Sequence, residues 1–144
     1  MRTSAGISII LNDEKILVAK PRNASWWERY TPPKGNLESG ESLAEAASRE
    51  TFEEVGIYIS PDKLSGLDPI QIDYADKKGN VYKRVYLFEY PISSLTDIKI
   101  DSEILPKEML QRDEIDDARF LSKEECESRV LKRYLPYITQ RLSN

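Results

Sequence analysis

The chain of 144 residues contains no histidine and one cysteine, and nowhere holds a long uninterrupted apolar run. Without histidine there is no Ser-His-Asp triad, no HExxH zinc site and no phosphohistidine chemistry, so acid-base work falls to carboxylates, lysine or tyrosine. A lone Cys126 cannot form an internal disulfide, and a small half-buried residue on a C-terminal helix accounts for it. The opening apolar stretch is interrupted at Asn12 and Asp13, too early for a signal peptide or a membrane span. The default expectation is a cytoplasmic protein with no membrane partner. Net charge is −4, which argues against duplex nucleic acid as a partner, because that binding depends on lysine and arginine neutralising phosphates.

What is present is one domain's worth of chain, 40% hydrophobic, without repeats or linkers. Residues 1–144 are therefore expected to form a single domain. Ala5 to Leu11 and Lys15 to Lys20 are β-rich and separated by Asn12-Asp13-Glu14, which predicts a hairpin. Pro21 to Lys34 reads as a loop held extended by Pro32-Pro33. A helix is expected from about Leu43 to Val55, since Ser42 and Glu45 form an S-x-x-E capping box and Gly56 sits where the helix would stop. Ile70 to Tyr74 and Val81 to Tyr90 flank a Lys77-Lys78-Gly79-Asn80 turn and predict a second hairpin. Ala118 to Leu121 reads as a short strand. The segment from Ser122 onward has helical spacing, with a kink or break expected at Pro136.

The densest chemistry lies in the 23 residues from Gly35 to Ile57, GNLESGESLAEAASRETFEEVGI. Glu50, Glu53 and Glu54 are spaced i, i+3, i+4, so their carboxylates share one helical face. Like charges so placed repel, and a hard divalent cation, which prefers oxygen ligands, gives them a purpose. Arg49 stands four residues from both Glu45 and Glu53 and is placed to brace them.

This run resembles the Nudix box, G-x(5)-E-x(7)-R-E-U-x-E-E-x-G-U, where U is a bulky apolar residue. Gly35, Glu41, Arg49, Glu50, Glu53, Glu54, Gly56 and Ile57 match it, and Thr51 departs at the first U. The resemblance implies an α/β fold, a Nudix-type α/β/α sandwich with a mixed β-sheet, and a pyrophosphohydrolase that cleaves phosphoanhydride bonds in substrates built on a nucleoside diphosphate. It implies Mg²⁺, with Mn²⁺ as an alternative, held by Glu50, Glu53, Glu54 and the main-chain carbonyl of Lys34. Arg49 becomes an orienting residue. Glu114, from RDEIDDARFL, is the choice for an additional acid ahead of a late strand, with Asp113, Asp116 and Asp117 as its rivals. Which carboxylate serves as base stays open, because clustered carboxylates titrate as a set.

The flank Thr31-Pro32-Pro33-Lys34-Gly35 is similar to the branch of the family that hydrolyses dinucleoside polyphosphates, with diadenosine tetraphosphate the type substrate. Nucleoside triphosphate, RNA 5′-end and inositol pyrophosphate hydrolysis remain as alternatives, as does an inactive nucleotide-binding regulator. The expected substrate-binding residues are Lys34, Arg22, Trp27, Tyr30, Tyr82 and Lys83, taken from basic and aromatic positions beside the box and on the second hairpin. Monomer and homodimer stay equally open.

Overall fold

In the computed structural model, residues 1–22 and 29–144 are described. Six strands form one mixed sheet: β1 (Arg2–Leu11), β2 (Lys15–Pro21), β3 (Lys34–Asn36), β4 (Ile70–Ala75), β5 (Val81–Ile92) and β6 (Ile115–Ser122). Their order is β4-β5-β1-β2-β6, with β3 added to β1. β1 and β5 run parallel, and the other ladders are antiparallel. Among the described residues three α-helices cover the two faces: α1 (Leu43–Val55) on one, and α2 (Lys123–Arg129) with α3 (Leu135–Arg141) on the other. The architecture is the mixed-sheet sandwich expected from the box. Among the described residues no helix is long and apolar enough to cross a membrane.

β1 is central because it can be buried on both sides. Ala5, Ile7, Ile9 and Leu11 face the core under α1, while Ile10 joins the opposite core and Ser8 bonds the Tyr137 hydroxyl of α3 at 2.8 Å. Each such isoleucine or leucine taken fully from water contributes roughly 1.5–3 kcal/mol. The outer edge of β1 is shared by two partners. β2 pairs with it only at Ile10–Leu11, before veering off to pair with β6, whereas β3 pairs at Ser4–Gly6. Between these contacts the edge splits, and Pro33 inserts its carbonyl to accept from the Ile7 N–H at 3.2 Å. That split becomes the floor of the candidate site.

The helix α1 begins and ends as its sequence requires. The Ser42 hydroxyl accepts from the Glu45 N–H at 3.1 Å, and the Glu45 carboxylate accepts from the Ser42 N–H at 2.9 Å. Gly56 closes the helix with φ +74°, a left-handed position suited to glycine. Thr51, the departure from the box pattern, is fully buried, and its hydroxyl finds no hydrogen-bond partner among the described residues. An unsatisfied buried hydroxyl costs about 1–3 kcal/mol. Thr51→Val, which keeps the shape and drops the hydroxyl, is therefore expected to raise the thermal midpoint by about 2–4 °C per kcal/mol regained, readable by calorimetry.

Two boundaries differ from expectation. The late strand starts at Ile115, three residues before Ala118, so Asp116 and Asp117 are strand residues. The C-terminal helix breaks at Val130, where Tyr30 forms an isolated parallel bridge, and Pro136 lies in the first turn of α3. Proline is well tolerated in a first turn because its missing N–H would be unpaired there anyway. The break was mislocated because it is made by a contact with a residue a hundred positions away.

Candidate functional site

An open pocket of about 340 Å³ lies over the split in β1, lined by Arg22, Lys34, Glu54, Asp113 and Glu114 above Ala19, Thr31 and Ile115. Its residues come from the end of β2, the start of β3, the last turn of α1 and the turn before β6. The turn is tied to β2 by Arg22, whose N–H donates to the Glu114 carbonyl at 2.7 Å and whose guanidinium donates to the Arg112 carbonyl at 2.7 Å. Arg22, expected to meet substrate, thus also fixes the backbone of the acid turn.

Glu54 is the most constrained of the acids. Burial is the main cause that pushes its carboxyl up to about 7; the charges of Glu50 and Glu114 add to this, while the Lys34 ammonium and main-chain N–H oppose it. Burial likewise raises Glu50, which feels Glu53 and Glu114 as like charges and Arg49 as an opposing one. The carboxylate of Glu50 rests against Gly35: a Cβ there would stand 2.1 Å from its Cδ and Oε2. The first glycine of the box is therefore a space requirement of Glu50.

Arg49 does more than brace two neighbours. Its guanidinium donates twice to Glu41, at 2.6 and 2.9 Å, and also to Glu50 at 2.9 Å, to Glu53 at 3.1 Å and to the Asn36 carbonyl at 3.0 Å. The expected partner Glu45 is absent from this set because its carboxylate is committed to the helix cap. Glu41, eight residues away, takes its place because the loop between β3 and α1 folds back over the helix. The hydrogen bonds from Arg49 hold the Glu41 carboxyl below its usual range.

Among the described residues no three acids converge into a ready-made cation cage, since Glu50 and Glu53 are drawn onto Arg49. The donor set nevertheless suits Mg²⁺, which is held by one or two carboxylates, waters and substrate phosphates in place of a dedicated cage. Glu50 and Glu54, both pushed up by burial, repel each other, the exposed Glu114 adds its like charge to both, and a divalent cation would relieve that repulsion.

Several expected substrate contacts are placed differently. Trp27 lies outside the described residues, as does Trp26. Tyr30 is only 8% exposed, its hydroxyl donates to Asp117 at 2.7 Å and Arg129 lies over its ring, so it offers no free face to a base. Its place is structural, holding the end of the loop against β6. Tyr82 is exposed at the sheet end, edge-on to Tyr74. Of the other strand aromatics, Phe88 is buried in the core under α1 and Tyr90 packs against it. Strand alternation separates Lys83 from Arg84, and Arg84 is spent on Asp73 at 2.7 Å. Lys83 remains on the side of Tyr74, within electrostatic reach of Lys34 and Glu54.

Asp117, a rival for the additional acid, is buried and accepts from Tyr30, Arg119 and Lys107. Burial alone would raise its carboxyl, but the bonds from Arg119 and Tyr30 outweigh it and hold the group at about 2. A depressed carboxyl contributes stability above its unfolded value, near 3.8, and loses it as pH falls toward 2. The stability gap between the wild type and Asp117→Asn, about 2 kcal/mol at neutral pH, is expected to close over that acid window in urea melts.

The residues of this site match a known family model over nearly the whole chain. The NUDIX domain model covers residues 1–140. The chain belongs to the Nudix family. It is 37% identical over 59 residues to an uncharacterized Nudix hydrolase, YvcI, of Bacillus subtilis (strain 168). That match takes in 41% of this chain and spans about a third of the relative, 35% of its length. In fold, the Nudix chain is similar to the C. elegans Ap4A hydrolase in a binary complex, with TM-score 0.65 and 19% identity over 98% of this chain and 94% of that one. It is similar also to a MutT NUDIX hydrolase from Burkholderia pseudomallei, with TM-score 0.68 and 17% identity over 99% and 98% of the two chains. At these identities the likeness is one of fold.

Proposed function

We propose that this Nudix chain is a metal-dependent pyrophosphohydrolase that cleaves phosphoanhydride bonds of substrates built on a nucleoside diphosphate, with dinucleoside polyphosphates such as diadenosine tetraphosphate as the leading class. The observation that carries the reading is the set Glu50, Glu54 and Glu114 at an open pocket, the first two desolvated by burial, with Lys34 beside them. Such a set is costly to keep without a cation and a polyanion to balance it. A fold shared with both an Ap4A hydrolase and a MutT protein is compatible with this class and leaves the choice among nucleotides to experiment.

Glu50, Glu53, Glu54 and the Lys34 carbonyl would hold Mg²⁺, or Mn²⁺ in its place, with Glu114 as an additional acid beside them. The ion would neutralise the diphosphate oxygens and make a water a better nucleophile at neutral pH. Lys34 meets a non-bridging phosphate oxygen as a point charge. Arg49 keeps Glu50 and Glu53 oriented by direct hydrogen bonds. Water attacks one phosphorus, the bridging P–O bond breaks, and its electron pair leaves with the departing phosphate oxygen. The proton lost by the water passes to a carboxylate of the set Glu50, Glu53, Glu54 and Glu114. Arg22 holds the turn that keeps Glu114 facing Glu54.

The test is hydrolysis of a panel of diadenosine tetraphosphate, ATP, ADP-ribose, triphosphorylated RNA and an inositol pyrophosphate, with Mg²⁺ and with EDTA. Metal-dependent release of ATP and AMP from the dinucleotide, ahead of the others, is the expected result. Preference for another member replaces the substrate and keeps the chemistry. Nucleotide binding without turnover of any of them would overturn the enzymatic reading.

A further inference from the structure

Arg2, Lys83 and Tyr74 are direct neighbours in one row across β1, β5 and β4. From the 3₁₀ turn at Lys132–Tyr134, Arg133 reaches over the same tyrosine, its Cζ 4.4 Å from the ring centroid; the Lys83 Nζ is 4.9 Å from it. The hydroxyl of Tyr74 is fixed by Tyr134 at 2.8 Å. Like charges on neighbouring strand positions are destabilising. Elsewhere in this acidic chain Arg49, Arg84, Arg119 and Arg141 are each matched by carboxylates. Among the described residues, Arg2, Lys34, Lys83 and Arg133 form no ion pair.

We propose that Arg2, Lys83 and Arg133, gathered around Tyr74, form a second phosphate subsite that continues from Lys34, so that the protein selects substrates carrying three or more linked phosphates over those with two. The inference rests on the phosphoanhydride reading of the Glu54 pocket and names the residues that would give it a preference for longer phosphate chains. Lys34 is the register partner of Gly6, which shares a face of β1 with Arg2, so the row runs beside the pocket, and Lys34 and Glu54 both bear electrostatically on Lys83. Burial, together with Lys34 and Arg2, pushes the Lys83 ammonium down to about 8, the condition of a cation short of its anion. Two cations already lie over the Tyr74 ring, so the row suits phosphate oxygens and not a stacked base.

Titration calorimetry in EDTA with inorganic tripolyphosphate and with pyrophosphate reads this without turnover. Wild type should bind tripolyphosphate at least about tenfold tighter than pyrophosphate. Lys83→Met, which keeps the packed stem, and Arg133→Gln, at an exposed position, should each weaken tripolyphosphate about tenfold and pyrophosphate less than twofold. With Mg²⁺, the same variants should raise KM for diadenosine tetraphosphate several-fold more than KM for ADP-ribose. Equal effects on the long and short anions, or no preference for tripolyphosphate in wild type, would overturn the subsite. Absence of all turnover with the tripolyphosphate preference intact would instead remove the hydrolytic reading and keep the subsite.

Discussion

Glu54→Gln is expected to lower turnover by roughly 10³-fold or more while making the metal-free protein more stable at pH 8. Both effects have the same origin. Burial and the like charges of Glu50 and Glu114 raise the Glu54 carboxyl to about 7, well above its value of about 4.5 in an unfolded chain. An acid raised on folding costs nothing below the unfolded value, since it is protonated in both states. The cost grows as pH climbs from 4.5 to 7 and is fully present above that. Its size is of order 1–3 kcal/mol. The isosteric amide removes the charge, so the variant's gain in melting temperature should be absent at pH 4 and plain at pH 8. Adding Mg²⁺ should raise the melting temperature of the wild type and have little effect on the variant. Turnover near the wild-type rate would sink the assignment of Glu54, and a stability gain that ignores pH would sink its electrostatic cause.

Gly35→Ala should be nearly as damaging, through space alone. The new methyl would sit 2.1 Å from the Glu50 carboxylate, far inside contact distance. Glu50 cannot simply swing aside, because its carboxylate is gripped by Arg49 at 2.9 Å and is largely buried. Either the carboxylate leaves Arg49 or β3 moves away from α1. Overpacking of this kind costs about 1–3 kcal/mol, which a fold of this size tolerates, so the variant should remain folded by circular dichroism. Its turnover should nevertheless drop at least about 100-fold, because a displacement near 1 Å in a reacting constellation is that costly. Activity within a few-fold of wild type would mean that Glu50 can work from another position.

The features legible in the sequence are those set by neighbours along the chain. The capping box at Ser42 and Glu45, the extent of α1 and its Gly56 terminus follow from rules that act over three or four residues. Both hairpins follow from β-rich apolar runs around turn residues, and the spacing of the box acids brings Glu50 and Glu54 together near Lys34. Even here the reach of local reasoning is short: it paired Arg49 with Glu45, four residues off, when a folded-back loop delivers Glu41.

Tertiary structure decided everything that depends on strands meeting across long separations. Only the ladder between β1 and β5 makes Arg2 and Lys83 neighbours, and only the packing of the C-terminal segment brings Arg133 to them. Tyr30 and Asp117 read as a loop aromatic and a loop acid until the bridge from Tyr30 to Val130 and the start of β6 at Ile115 bury them together. Box acids are written into one helix because a helix repeats every 3.6 residues. The pocket they face is assembled from β2, β3 and the turn before β6, whose meeting is fixed by hydrogen bonds and apolar burial that no local pattern encodes.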